Sequence, residues 1–351
     1  MSKKAPTPTT VSRKKQHVDI TLKQHVDFKG KSTGLDELEF VHNALTELDL
    51  AEVDARVQFL GKTLSVPLMV SSMTGGYADA EGINRSLGEV CEEMGIAIGV
   101  GSQRQALENR QYHRTFSVVR EVAPSVPVVG NIGGAEVARM KTPDDARRLV
   151  DLIRADAFTV HLNPLQEFLQ PEGDTRFRGV LAGIAMLVKG LSIPVIVKEI
   201  GAGISAAVSR RLLEIGVRYI DVAGAGGTSW AGVEALRSSE RESASRFWDW
   251  GIPTAVAVRD TAKLKSMTRR FTLIASGGIR SGSDAAKCIA LGADLAASAR
   301  PMIVEVSRGG TKTLRALLDT WARELRGIMF LTGSRTISDL QRAQLVRYRT
   351  P

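Results

Sequence analysis

Residues 127–154 read PVVGNIGGAEVARMKTPDDARRLVDLIR, and they contain one complete structural unit. The run 127–133 is apolar without polar alternation, which marks a strand buried on both faces. Glycines close it. Thr142-Pro143-Asp144-Asp145 then opens a helical stretch over 142–154, with a capping residue followed by proline at the first helical position. The same strand–turn–helix unit recurs on both sides. Further apolar runs stand at 67–73 (PLMVSSM), 96–102 (IAIGVGS), 157–163 (AFTVHLN), 194–200 (PVIVKEI), 219–225 (YIDVAGA), 272–278 (TLIASGG) and 293–299 (ADLAASA). Helices are predicted among them at 82–94 and 205–215. Eight such units in about 250 residues specify an α/β protein of the closed (β/α)8 TIM-barrel class.

The doubly wound alternative lacks its fingerprint, since no G-x-G-x-x-G follows a strand. Gly61-Lys62-Thr63 looks like the end of a P-loop, but Arg56 stands where the first glycine belongs. The chain therefore divides into a basic N-terminal arm and lead-in segment, 1–60, and a barrel, 61–351. Two spacings exceed the rhythm and predict rim insertions, 164–180 after strand four and 226–252 after strand six. Both follow a strand's C-terminal end, where barrel enzymes keep their chemistry.

The 351 residues are 43% hydrophobic and 24% charged, which excludes wholesale disorder. Cys91 and Cys288 cannot form a disulfide framework and sit in no metal-ligand spacing. No stretch approaches the roughly twenty apolar residues of a membrane span, and the N-terminus has no apolar signal run. A cytoplasmic protein is expected. The net charge is +9, and residues 1–31 hold eight Lys/Arg against two acids, so the excess belongs to the arm and not to a face of the body. Such an arm is a solvated tail, a nucleic-acid contact or a cover for an anionic small molecule. Aromatics make up only 5%, which speaks against stacking on nucleic acid.

The strand ends carry small residues and backbone amides, with Ser, Thr, Asn and one Lys among them. Glycine-rich ends let N–H groups approach phosphate oxygens, and the loops after strands seven and eight (277–282, 299–301) are where barrels bind phosphate. Lys198 interrupts an apolar strand, and alternation places it with Ile196 and Ile200 on one face. It is either a structural ion pair or a counter-charge to a bound cofactor ring. Thr159, His161 and Asn163 share a face on strand four. His161 is followed at once by a rim insertion bearing Gln166 and Glu167. One carboxylate without a second is poor equipment for hydrolysis and adequate for Mg²⁺, which leans on substrate phosphates and water. No nucleophilic triad is present, so the chemistry belongs to a cofactor.

These strings, in this order, resemble the FMN-dependent type 2 isopentenyl-diphosphate isomerases over nearly the whole chain. The resemblance is carried by Arg13-Lys14 with His17, MTGG at 73–76, GSQR at 101–104, HLNPLQE at 161–167 and QPEGD at 170–174. It continues through VKE at 197–199, GAGGTSW at 224–230, WGIPTA at 250–255 and SGGIRSG at 276–282. The resemblance implies interconversion of isopentenyl and dimethylallyl diphosphate with reduced FMN, Mg²⁺ and NADPH as flavin reductant. It places Ser72, Met73, Thr74, Ser102, Asn131, Lys198 and Thr228 on the flavin. Gly278, Ile279, Arg280, Ala299 and Arg300 would lie at its phosphate. Arg13, Lys14, Ser102, Gln103, Arg104 and His161 would meet the substrate diphosphate, with Gln166 beside the reacting carbons and Glu167 on Mg²⁺. Catalytic roles fall to Gln166 and His161.

A homo-oligomer, tetramer or octamer, is expected, with no nucleic-acid or membrane partner. Ala223 departs from relatives that carry a hydroxyl there, and Arg300 adds charge at a position often apolar. Because the strand ends offer no acidic pair, the reduced flavin is expected to act as the acid–base without net redox. The alternative is an FMN barrel oxidising a small hydroxy acid.

Overall fold

The computed structural model describes residues 10–237, 241–267 and 270–347. Eight parallel strands close into a barrel: β1 (Leu68–Val70), β2 (Ala97–Gly99), β3 (Val128–Gly133), β4 (Ala157–Leu162), β5 (Val195–Glu199), β6 (Tyr219–Asp221), β7 (Thr272–Ala275) and β8 (Leu295–Ser298). Each pairs with its sequence neighbour, and β8 closes the ring on β1 through Ala296–Leu68, Ala297–Met69 and Ser298–Val70. All eight lie inside the apolar runs read from the sequence. The expected helices form as Ala80–Met94, Asp144–Ile153 and Ala206–Glu214. Ser205 Oγ accepts from the Val208 N–H to cap the last of these.

The barrel interior is filled at its N-terminal end by Met69, Ala97, Val129, Ala157, Ile196, Ile274 and Leu295, with Phe59 and Leu64 packed against them. Those two come from a hairpin, Val57–Phe59 with Lys62–Leu64, which plugs the floor. Leu60 and Gly61 make its turn with φ of 52° and 76°. The P-loop look-alike is thus a hairpin turn at the end opposite the active loops. Lys62 pairs with Asp156 at 2.9 Å.

The division after residue 60 requires correction, because it cuts this hairpin in half. Leu35, Leu38, Val53 and Ala55 share one buried cluster with the barrel's outer layer, and Glu39–Phe40 pairs with Leu345–Val346. Residues 24–64 therefore belong to the barrel body through these buried side chains, although Leu45 and Leu50 between them are exposed. The true arm is the helix α1 (Thr10–Lys23), which crosses the C-terminal mouth. The insertions build further helices on the same rim, α2 (Pro164–Leu169) and α3 (Trp230–Arg237), and α4 (Arg300–Leu331), broken by non-helical backbone at Gly309 and Gly310, follows β8. Cys91 and Cys288 are buried, and burial raises both thiols well above their ordinary range.

Phe59→Ala should lower the unfolding free energy by about 3–5 kcal/mol, because it removes the side chain that stoppers the floor. Urea titration with two spectroscopic probes measures this; a loss below about 1 kcal/mol would mean the floor is sealed without it.

Candidate active site

Two adjoining cavities open at the C-terminal ends of the strands, and they share Ser72, Met73, Lys198, Ile200 and Trp230. The smaller, about 150 Å³, is walled by Arg13, Lys14 and His17 of α1 together with Ser102, Arg104, Asn131, His161, Gln166 and Glu167. The larger, about 570 Å³, is lined by Gly224, Thr228, Gly277–Arg280, Ala299 and Arg300, with Thr21 and Leu22 of the arm above it. The helix therefore covers both.

The small cavity concentrates positive charge. Lys14 donates from Nζ to the carbonyls of Gly75 (3.0 Å) and Ser102 (2.6 Å), which docks the arm onto the loops after β1 and β2. Burial, with Arg13 close by, pulls its pKa down to about 7. Arg104 is held at 3.0 Å by Glu136 and at 2.9 Å by Glu108. Opposite these cations, His161 donates from Nδ1 to Asn131 Oδ1 at 2.7 Å. Burial is the main reason its pKa falls to about 4; the Glu167 carboxylate pulls upward and Lys198 downward. The ring is neutral at ordinary pH.

Gln166 is fixed from both ends. Its Nε2 donates to Glu234 Oε1 at 3.1 Å, and its Oε1 accepts from Asn163 Nδ2 at 3.1 Å. Glu234 is fully buried, and His17 Nε2 lies 2.8 Å from it. Burial works to raise the Glu234 pKa, but His17, Arg237 and Gln166 outweigh it and hold the carboxyl below its usual value. Arg237 continues the chain to Glu172 at 2.6 Å.

Glu167 takes the Asn163 amide on one oxygen, and the Gln170 amide (2.6 Å) and Asp174 N–H (2.7 Å) on the other. Among the described residues no cluster of three metal-ligating side chains exists. Glu136 also lines this wall but is paired with Arg104, so Glu167 fits Mg²⁺ only as an ion whose other ligands are substrate oxygens and water.

The large cavity fits FMN. Its volume falls within the range of cofactor sites. The Gly277–Ile279 backbone and the start of α4 face it, as an anionic phosphate requires. Gly277 and Gly278 have φ of 97° and 72°, and a Cβ on Gly277 would overlap the Gly224 carbonyl, so glycine is needed there. Arg280 and Arg300 share Asp27 Oδ1 at 2.8 and 2.7 Å, and Arg300 also donates to the Thr21 and Gln24 carbonyls. Its extra charge is thus partly spent on tying the end of the arm. Ala223 lines this cavity with φ of 38°, unusual for a residue with a side chain.

Two expected contacts do not reach either cavity. The Thr74 hydroxyl is turned to Asn84, and its carbonyl takes the Gly101 N–H at 2.7 Å. Gln103 is fully buried, donating to the Leu149 carbonyl at 3.0 Å and accepting from the Asn131 N–H at 3.0 Å. It supports Asn131 from behind and leaves the anion to its neighbours. Conversely, Asp221, Glu234, Arg237 and Glu172 escaped the sequence reading. Asp221 and Glu234 did leave a signal: each is one acid inside an apolar element (YIDVAGA, WAGVEALR), the mark that singled out Lys198.

Comparison with known proteins agrees with this geometry. Residues 141–347 match the FMN-dependent dehydrogenase family. The isopentenyl-diphosphate delta-isomerase of Chlorobaculum parvum is 48% identical over 97% of this chain and 98% of its own. That of Cronobacter sakazakii is 44% identical over 95% and 96%. The lactate oxidase of Pediococcus acidilactici has a similar fold, with a TM-score of 0.69 at 14% identity, covering 99% of this chain and 97% of its own. A mandelate oxidase follows at 0.67 and 17%, over 95% and 94%. Fold and site define an FMN-dependent (β/α)8 enzyme. Within that class, the chain belongs to the type 2 isopentenyl-diphosphate delta-isomerase family.

NMR of His161 in the ligand-free protein should show a ring that stays neutral down to about pH 4 and whose pKa rises when diphosphate binds. Titration near 6.5 in the free protein would contradict the burial described.

Proposed function

We propose that this protein interconverts isopentenyl diphosphate and dimethylallyl diphosphate, using reduced FMN and Mg²⁺, with NADPH as the reductant of the flavin. The observation that carries the proposal is the pairing of a cation-walled small cavity with a flavin-sized one, both under α1. The relatives at 43–48% identity bear the isomerase name over nearly their whole length.

The residues divide as follows. Arg13, Lys14, Ser102, Arg104 and His161 hold the diphosphate, and His161 accepts added positive charge as the anion enters. Glu167 contributes the one protein carboxylate to Mg²⁺. Ser72, Met73, Asn131, Lys198 and Thr228 hold the flavin ring, while Gly278, Ile279, Arg280, Ala299 and Arg300 meet its phosphate. Reduced FMN, when bound, supplies an acid–base centre without net electron transfer. Gln166, pinned between Asn163 and Glu234, presents a neutral amide to the reacting carbons. Glu234, the carboxylate hydrogen-bonded to that amide, fixes its orientation. Trp230, Ile200 and α1 exclude water from the alkene.

Two observations weigh against other readings. Arg13 and Lys14 turn into the cavity, so the core of the basic arm is spent on a small anion and not on nucleic acid. The likeness to lactate and mandelate oxidases extends to fold alone, and a hydroxy-acid oxidase has no use for the Glu167 and α1 cavity. No helix among the described residues is long and apolar enough to cross a membrane. The reading includes a cytoplasmic homo-oligomer, tetramer or octamer; the exposed rings of Phe168 and Trp250 on the rim offer self-association an apolar face.

Anaerobic assays that omit FMN, reductant and Mg²⁺ in turn should give product only when all three are present. Oxygen consumption with hydroxy acids in place of isomerisation would overturn the assignment. Glu167→Gln should retain FMN yet turn over about 10–100-fold more slowly, with weakened Mg²⁺ dependence. Unchanged kinetics would assign Glu167 to the rim.

A further inference from the structure

Lys198 lines both cavities, and its ammonium is held from the barrel interior by one side chain on the adjacent strand β6 and one just beyond β7. Nζ donates to Asp221 Oδ2 at 2.8 Å and to Ser276 Oγ at 3.1 Å. Ser276 Oγ in turn donates to Asp221 Oδ1 at 2.5 Å, and the Ala223 N–H donates to the same oxygen at 3.2 Å. The register of β5 on β6 sets Lys198 opposite Asp221, so the pleat aims both inward. Asp221 is only 2% exposed and lines neither cavity. Its carboxylate touches the site only through the lysine.

We propose that Asp221 is a positioning residue that sets the reduction potential of the bound flavin through Lys198. The proposal rests on the FMN reading of the large cavity. An ammonium has three N–H groups, and Asp221 with Ser276 takes two, which fixes the direction of the third. A full positive charge beside a flavin favours the electron-rich reduced form, and the buried carboxylate offsets part of that charge. The lysine is thereby aimed and its charge moderated at once. The competing account is that Asp221 only neutralises a buried cation so that the barrel folds. That account requires no effect on the flavin.

The test is the anaerobic midpoint potential of bound FMN in the parent, Asp221→Asn, Lys198→Met and the double variant. In Asp221→Asn the reduced flavin should gain about tenfold over the oxidised, a rise of about 30 mV for a two-electron couple. In the Lys198→Met background the buried carboxyl, left without a cation, takes up a proton, and the same substitution should change that ratio by less than about threefold. A parent-like potential in FMN-loaded Asp221→Asn, or equal shifts in both backgrounds, overturns the proposal. Should Asp221→Asn fail to fold, Ser276→Ala frees one lysine N–H without removing a charge. It should shift the potential the same way by less, and an unmoved potential there overturns the proposal as well. A parent that takes up no FMN in an absorbance titration removes the flavin reading and this role together; the other outcomes remove the role alone.

Discussion

An ammonium inside a barrel is tolerated only where partners meet it, because an unpaired buried charge costs several kcal/mol. Lys198 on β5 is met by Asp221 on β6 and by Ser276 just beyond β7. The three positions converge only when the strands are closed and in the observed register. The polar centre of the mouth therefore depends on closure, and closure depends on the apolar floor of Met69, Val129, Ile196 and Ile274 beneath it. Above this centre, Lys198 is the one charged side chain among the five residues that line both cavities.

Helix α1 follows the same electrostatic logic from the opposite side. Lys14 reaches two loop carbonyls, and Arg300 reaches back to the carbonyls of Thr21 and Gln24, so the helix is stitched to the rim at both ends. Asp27 joins Arg280 and Arg300 beside the phosphate loops. Of the three readings that charge alone left open for the arm, the helix fits the cover: Arg13, Lys14 and His17 wall the smaller cavity. Glu199 anchors the neighbouring rim. Its Oε2 accepts from the N–H groups of residues 200–203, although burial outweighs these donors and raises its pKa to about 7.

The barrel was legible because each strand is buried on both faces and reads as an uninterrupted apolar run, bounded by glycine. His161 and Lys198 drew notice through the pleat and through which end of a barrel strand is open, whereas Ser72 and Thr228 were singled out by the family resemblance. The boundary at residue 60 failed because a short hairpin of mixed polarity, Val57–Leu64, does not advertise that Phe59 and Leu64 point into a barrel floor. The side chains of Thr74 and Gln103 turn away from both cavities. They sit within matching strings, but a string cannot say whether a side chain turns to the cavity or to Asn84 and Leu149 behind it. Glu234 lay hidden because it is brought to Gln166 by the packing of two rim helices distant in sequence.

The central claim is that a flavin fold serves isomerisation, with electrons neither gained nor lost over the cycle. Its most direct test is the flavin spectrum during anaerobic turnover of isopentenyl diphosphate by enzyme reduced once and then freed of reductant. Many products per flavin, with the flavin still reduced at the end, are predicted. One product or fewer per flavin, with the oxidised spectrum returning in step, would contradict the account and mark the protein as an oxidoreductase.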